Sequence, residues 1–135
     1  MESLEVTPSF WKNKRVLLTG HTGFKGSWLT LWLKKVGAEV IGYSNSIPTT
    51  PSLYELSGIN SDIISVIGDI RDLSKLQDTL SQHKPEIIIH MAAQSLVNNS
   101  YNDPIETYST NVMGTVNLFE AARKSNDASV IINVT

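Results

Sequence analysis

The sequence contains no cysteine, which excludes a disulfide-stapled scaffold, a thiolate zinc site and a cysteine nucleophile. No apolar run approaches the roughly 20 residues that a membrane-spanning helix needs. Eleven Lys and Arg against thirteen Asp and Glu give a formal net charge of −2, so no basic field exists to hold nucleic acid or an anionic membrane. Residues 1–5 are acidic and precede no hydrophobic region, unlike a secretory signal peptide. We therefore expect a cytoplasmic protein that binds neither nucleic acid nor membranes.

The hydrophobic residues are spaced as in an α/β domain. The 135 residues are 41% hydrophobic and 18% charged, which is ordinary for one globular domain, here residues 1–135. The predicted strands are 15–19, 39–44, 63–67, 86–91 and 129–135, and the predicted helices are 27–36, 73–83 and 105–124. Between them, residues 45–60 are predicted to be a loop with one helical turn. This alternation indicates a Rossmann-like, doubly wound parallel sheet in the order 3-2-1-4-5.

The chain ends on the predicted fifth strand, without a helix to cover it. We therefore expect the N-terminal part of a longer protein. A few hundred Å² of uncovered apolar surface, at about 25 cal/mol per Å², amounts to several kcal/mol. That is comparable to the roughly 5–15 kcal/mol net stability of a whole domain. We expect residues 1–135 alone to be marginally folded or to associate.

The segment Gly20-His21-Thr22-Gly23-Phe24-Lys25-Gly26 lies directly between the first predicted strand and helix. Gly20 would permit a tight turn, Gly23 would let the backbone approach a pyrophosphate, and Gly26 would let the helix pack against the sheet. The N–H groups at the helix start would then face the phosphates. No Gly-Lys-Ser/Thr ending follows, so a nucleotide triphosphatase is not predicted. The alternative is a purely structural turn.

Two polar residues of this loop have open roles. Lys25 stands near the expected phosphate position, or is simply solvated. His21 is either a polar loop residue or a hydrogen-bonding group that reaches a phosphate or a neighbouring strand. The sequence does not decide between these alternatives.

The end of the second strand bears on the choice of dinucleotide. An acidic residue commonly stands there to bind the adenine ribose. This chain has Tyr43, Ser44 and Asn45 instead, and no arginine at 43–48 to meet a 2′-phosphate. Ser44 or Asn45 could bind a ribose hydroxyl, so the sequence favours NAD over NADP.

The third and fourth predicted strands end in further candidate residues. Asp69 could accept a hydrogen bond from an adenine amino group, whereas Asp69 or Asp72 could instead cap the next helix. Ala92-Ala93-Gln94 follows, and its small alanine side chains could let a cofactor ribose lie against the backbone or could simply serve tight packing without a ligand. We interpret His90 as a strand residue rather than a metal ligand, and we predict no metal site because no partner stands at ligand spacing.

Several segments together resemble a known family. They are Phe10-Trp11, 20–28, Pro51-Ser52-Leu53, 67–72, 90–94 and 107–116. In these segments the chain resembles the extended short-chain dehydrogenase/reductase family, in its NAD-dependent epimerase/dehydratase group, and within that group the CDP-glucose 4,6-dehydratases. His21 and Lys25 are the more specific marks, since related sugar-nucleotide enzymes usually have other residues there.

The resemblance implies a reaction in surface polysaccharide synthesis. Tightly held NAD would take a hydride from C4 of CDP-glucose, water would leave across C5 and C6, and the hydride would return to C6. The catalytic Tyr-x-x-x-Lys pair and the sugar-binding domain of the family would follow the fifth strand, so no catalytic residue is assigned here. The family uses the residue at Asn111 to hold the sheet through bonds to the backbone. Its helix at 105–124 packs against a twofold mate in a homodimer.

Motifs and resemblance together define the candidate cofactor site. The candidate NAD-binding residues are Gly20, Thr22, Gly23, Phe24, Lys25, Gly26, Ser44, Asp69, Ile70, Ala92, Ala93, Gln94 and Asn111. Two alternatives stay open. One is a different member of the same family, a sugar-nucleotide epimerase or reductase. The other is a non-catalytic regulator that binds a dinucleotide.

Overall fold

Five parallel strands form the centre of the fold in the computed structural model, which describes residues 7–135. The prediction about a signal peptide concerns residues outside this range. The strands are β1 (Arg15–Thr19), β2 (Glu39–Ser44), β3 (Ile64–Ile67), β4 (Ile87–His90) and β5 (Val130–Asn133). Their order is β3-β2-β1-β4-β5, so the predicted doubly wound order is confirmed.

The central strand β1 pairs in parallel with β2 on one side and β4 on the other. This register places Thr19, the last residue of β1, opposite Tyr43 and opposite His90. Because all strands run in one direction, their carboxyl ends meet at one edge of the sheet. The strand order reverses between β1 and β4, and in open α/β sheets ligands bind at the carboxyl edge beside such a reversal.

Helices and short turns connect the strands. The helices are α1 (Pro8–Trp11), α2 (Phe24–Lys35), α3 (Leu53–Ser57), α4 (Leu73–His83), α5 (Val97–Asn102), α6 (Pro104–Tyr108) and α7 (Gly114–Ser125). A 3-10 turn spans Ile59–Ser61 and a π-helical turn spans Ser109–Met113. No helix within residues 7–135 is long and apolar enough to cross a membrane.

Several helical regions differ from the prediction. The first long helix begins at Phe24 rather than at 27, because Gly23 is already its N-cap in extended conformation. The segment 45–60 contains α3 and the 3-10 turn rather than one turn, and the Ser52 hydroxyl caps α3 by accepting from the Glu55 N–H. Helix α5 was not predicted, since its sequence is mostly polar and has no apolar periodicity.

The predicted single helix 105–124 is helical throughout but is not one regular α-helix. Between α6 and α7 the chain widens into the π-helical turn Ser109–Met113. Such turns are rare and frequently mark functional positions. Asn111 lies in this one.

The core lies on both faces of the sheet, since side chains of each buried strand point alternately to either side. On one face, under α2, the core is formed by Val16, Leu18, Leu33, Ala38, Val40, Ile87 and Ile89. On the other face, under α4 and α7, it is formed by Leu17, Ile41, Tyr43, Ile70, Leu76, Leu80, Ile88 and Leu118 with Ala121 and Ala122. This three-layer packing fixes the strand ends, and with them the loops that carry the candidate site.

Candidate functional site

Most of the predicted cofactor-binding residues lie at the carboxyl edge of the sheet. Thr19, Ser44 and His90 are the last residues of β1, β2 and β4. The loops that follow β1, β3 and β4 carry the glycines, Asp69 and the segment 92–94. The fold thus brings residues that are far apart in sequence to one edge.

The fold requires two of the three glycines in the loop after β1, each for a different reason, but not the third. Gly20 has a φ of +79°, a left-handed conformation that favours glycine. A Cβ on Gly26 would collide with the carbonyl of Gly20, so Gly26 lets α2 approach the backbone of this turn, not the sheet as predicted. At Gly23 the φ is −73°, and a Cβ would meet only the Gly20 carbonyl oxygen at an ordinary 3.4 Å. Nothing in the described part of the chain therefore requires glycine at position 23.

The amino end of α2 is suited to an anion. No side chain caps its first turn, and that turn contains no acidic residue. Its free N–H groups carry partial positive charge, which attracts phosphate. Phe24 and Lys25 are both exposed at this end of the helix. A phosphate here would meet backbone N–H groups and a nearby ammonium group.

His21, whose role the sequence left open, is completely buried beneath the loop. Its Nε2 lies 2.8 Å from the hydroxyl of Ser65 on β3, and the Tyr54 hydroxyl donates to the same oxygen at 3.0 Å. The His21 and Tyr54 rings meet edge to face, with centroids 5.3 Å apart. Burial lowers the pKa of His21 to about 4, against the opposing effect of the Tyr43 carbonyl. His21 is therefore neutral at pH 7 and braces the loop against β3.

Thr22 connects the glycine loop to the end of β2. Its hydroxyl donates to the Ser46 carbonyl at 2.6 Å, and its backbone N–H points at the Ser44 hydroxyl at a longer 3.5 Å. Ser44 is buried and Asn45 is exposed. The groups near this strand end are hydroxyls and amides, without a carboxylate or guanidinium at 43–48.

Asp69 is at the surface but already has a partner. Arg71 Nη2 donates to its Oδ2 at 2.6 Å and Arg71 Nε to its Oδ1 at 2.9 Å. These bonds hold the pKa of the Asp69 carboxyl below its usual range. Asp72 takes the alternative role and caps α4 by accepting a backbone N–H. Ile70 packs its side chain into the core, so only its backbone is available to a ligand.

The backbone of Gln94 is held by the side chain of Asn111. Asn111 Oδ1 accepts from the Gln94 N–H at 2.8 Å, and its Nδ2 donates to the Gln94 carbonyl at 3.0 Å. The side-chain amide of Gln94 donates to the Thr107 hydroxyl at 3.0 Å, so it is engaged with α6. Ala92 is half-buried and Ala93 exposed. Asn111 thus fixes the loop after β4 through both of its polar atoms.

Thr19 and Thr115 were not among the predicted residues, and they lie on either side of His90. Thr19 Oγ1 lies 2.6 Å from His90 Nδ1, and Thr115 Oγ1 lies 3.0 Å from His90 Nε2. His90 is a strand residue, as predicted, and it ends β4 one residue before the predicted end at 91. The sequence signal that could have indicated this group was a polar residue at the end of two mostly apolar strands, Thr19 on β1 and His90 on β4. Among residues 7–135 no three His, Asp or Glu side chains cluster as metal ligands would.

Known proteins are similar to this chain in sequence. The protein-family profile described as GDP-mannose 4,6 dehydratase matches residues 17–134. The chain is 54% identical over 130 residues to the CDP-glucose 4,6-dehydratase of Salmonella typhimurium, covering 96% of this chain and 36% of the relative. It thus spans about a third of that protein's length.

Solved structures agree with the fold. A UDP-glucose 4-epimerase from Thermotoga maritima, with UDP-glucose, has a TM-score of 0.79 at 28% identity, over 88% of this chain and 37% of that one. A UDP-glucose 4-epimerase from Brucella ovis in complex with NAD has a TM-score of 0.75 at 33% identity, over 88% and 35%. The chain therefore belongs to the GDP-mannose 4,6-dehydratase family and has a Rossmann-like fold.

Proposed function

We propose that the carboxyl edge of the sheet binds NAD, with its pyrophosphate against Gly23 and the first turn of α2. The observation that supports this most directly is the glycine at position 23. Its φ is negative and a Cβ would fit, so the protein's own packing does not explain it. A bound phosphate in close contact with the backbone would explain it.

The remaining candidate residues would surround the rest of the dinucleotide. Gly20, Gly26, Thr22, Phe24 and Lys25 would shape the phosphate cradle. Ser44 would face the adenine ribose, and Asp69 with the backbone of Ile70 would lie beside the adenine. Ala92, Ala93 and Gln94 would line the nicotinamide ribose, with Asn111 acting through the Gln94 backbone.

We further propose that the protein containing this chain converts CDP-glucose to a CDP-4-keto-6-deoxyglucose. NAD bound here supplies a hydride acceptor for C4 of the sugar and a donor for C6. The residues of this chain bind and orient that cofactor, and the small side chains of 92–93 leave room for the sugar to approach. The proposal is supported by 54% identity to a CDP-glucose 4,6-dehydratase, a relative of which this chain spans 36%.

We also propose a cytoplasmic homodimer that pairs through the helical run 105–124. Its outer face is apolar and exposed, which supports an interface there. The exposed residues are Ile105, Tyr108, Val112, Met113, Val116 and Phe119.

The test of NAD binding is a titration of the 135-residue chain, followed by two-dimensional NMR and by calorimetry. We expect saturable, weak binding with amide shifts concentrated at 20–26, 44–46 and 91–94. Saturable shifts elsewhere, or none, would refute the proposed site.

The test of the reaction is incubation of the protein containing this chain with CDP-glucose. A 4-keto-6-deoxy product is expected. A C4 epimer would instead support the epimerase alternative, and binding of NAD without turnover would support the non-catalytic regulator.

A further inference from the structure

His90, a buried histidine at the carboxyl edge, has no role in the function proposed above. His90 is 3% exposed, and both of its ring nitrogens have hydroxyl partners. One partner belongs to β1 and the other to α7, so the imidazole bridges the sheet and a helix. The directions of these bonds follow from the surroundings of the two threonines.

The Thr19 hydroxyl fixes the first direction. Its oxygen accepts the backbone N–H of Met91 at 3.0 Å and that of Ala92 at 3.1 Å. A hydroxyl has two lone pairs and one proton. Both lone pairs are used, so the proton is donated to His90 Nδ1. That nitrogen is therefore unprotonated, and the ring proton is on Nε2.

Donors and acceptors can be assigned in the same way from α7 to the loop after β4. His90 Nε2 donates to Thr115 Oγ1, and the Thr115 hydroxyl donates to the Asn111 carbonyl at 2.7 Å. The Asn111 side chain in turn holds both backbone polar groups of Gln94. Every bond has one possible direction. The hydrogen bonds run from the end of β1 to the Asn111 backbone carbonyl, and the Asn111 side chain then holds Gln94.

We propose that His90, as the neutral tautomer with its proton on Nε2, is a positioning residue that holds the backbone of residues 91–94 for the cofactor. The proposal rests on the NAD site proposed above. Thr19 holds the start of this loop and Asn111 holds its end, and His90 connects the two. Without that connection the loop would have to be ordered during binding, which weakens affinity.

The tautomer is tested without any cofactor. Nitrogen-15 NMR of the 135-residue chain at pH 7 distinguishes a protonated from an unprotonated ring nitrogen, and His90→Gln identifies the signal. We expect a protonated Nε2 and an unprotonated Nδ1. The opposite tautomer, or a doubly protonated ring, would overturn the proposal.

The positioning role is tested by removing one hydroxyl. Thr115→Val keeps the side-chain shape but deletes the link between His90 and Asn111. The matched control is Thr79→Val on α4, because Thr79 makes the same bond to the carbonyl four residues earlier, without a histidine partner. We expect faster hydrogen exchange at the Gln94 N–H and NAD affinity lowered about three- to tenfold in Thr115→Val only. Equal effects in both variants would overturn the proposal.

Two histidine variants separate positioning from packing. His90→Asn can place an oxygen near the Nδ1 position and still accept from Thr19, whereas His90→Phe fills the space without any acceptor. We expect His90→Asn to retain more Gln94 protection and more NAD affinity than His90→Phe. The reverse ranking would show a packing role and overturn the proposal. If the parent chain bound no NAD at 91–94, the proposed function would fail, while the tautomer and exchange measurements would still decide the hydrogen-bond chain.

Discussion

The imidazole ring of His21 lies over the backbone of Gly42, in the space where a side chain at position 42 would stand. Gly42 is in the middle of β2, where glycine is normally unfavourable. The ring fills that gap and reaches Ser65 on the next strand. A histidine in the loop after β1 and a glycine in β2 therefore form one packing unit beneath the candidate phosphate cradle.

This relationship predicts a non-additive pair of substitutions. Gly42→Ala forces a methyl group into the His21 ring and should lower the free energy of unfolding by about 1–3 kcal/mol. In a His21→Ala background the space is free, so Gly42→Ala should cost less, with a coupling of about 1 kcal/mol or more. Urea unfolding of the four proteins measures the cycle. Additive effects would contradict the assignment of one packing unit.

The buried His21 also predicts how stability depends on pH. Its pKa falls from 6.5 to about 4 on folding, so the unfolded chain binds more protons between these values. The contribution of His21 to stability is therefore fully present above pH 6.5. It is lost as the pH falls toward 4, and the loss amounts to roughly 3 kcal/mol. His90, whose pKa is also lowered by burial, acts in the same direction. His21→Gln should reduce the pH dependence of the free energy of unfolding, measured with urea between pH 7 and 4. An unchanged pH dependence would contradict a buried, neutral His21.

Cofactor choice gives a third prediction. The end of β2 offers hydroxyl and amide groups but no cation at 43–48, so a 2′-phosphate would lose hydration without compensation. NAD should bind at least about tenfold more tightly than NADP. Asn45→Arg should narrow that ratio. Asn60→Arg adds the same charge in the 3-10 turn before β3 and should leave the ratio of NAD to NADP affinity unchanged. Preference of the parent chain for NADP in competition binding would refute the prediction.

The outer strand predicts association. Val130, Ile131 and Ile132 of β5 are 39–48% exposed, which agrees with the uncovered fifth strand expected from the sequence. An exposed apolar edge strand promotes pairing between chains. Sedimentation of the 135-residue chain should show concentration-dependent association that Ile132→Lys reduces. Leu56→Lys, an equal change at an exposed site on α3, should leave it unaltered. A parent chain that stays monomeric at every concentration would count against this expectation.

The sequence predicted the sheet well because the strands are short runs rich in apolar and β-branched residues, and β1 to β4 have glycine or proline near an end. It predicted the glycine loop because strand, loop and helix follow in order. It did not predict that His21 is buried, since a polar residue in a glycine-rich loop ordinarily faces water. The signal lay elsewhere, in Gly42 within β2 and Ser65 within β3, and only the three-dimensional register joins them.

The hydrogen bonds around His90, at the same edge of the sheet, were missed for the same reason. Thr19, His90 and Thr115 are separated by 71 and 25 residues, and local pattern does not relate them. The π-helical turn at Asn111 also has no periodic signature. What the sequence did indicate, through the family resemblance, was that Asn111 bonds to backbone, and its geometry with Gln94 agrees.

The central claim is that position 23 is a glycine for the sake of a bound pyrophosphate and not for the fold. The most direct measurement is NAD titration calorimetry on Gly23→Ser, together with its urea unfolding. Serine is at least as good an N-cap as glycine, so the free energy of unfolding should stay within a few tenths of a kcal/mol or rise. NAD affinity should fall by about tenfold or more, because the side chain enters the phosphate position. An intact fold with unchanged NAD affinity would contradict the account.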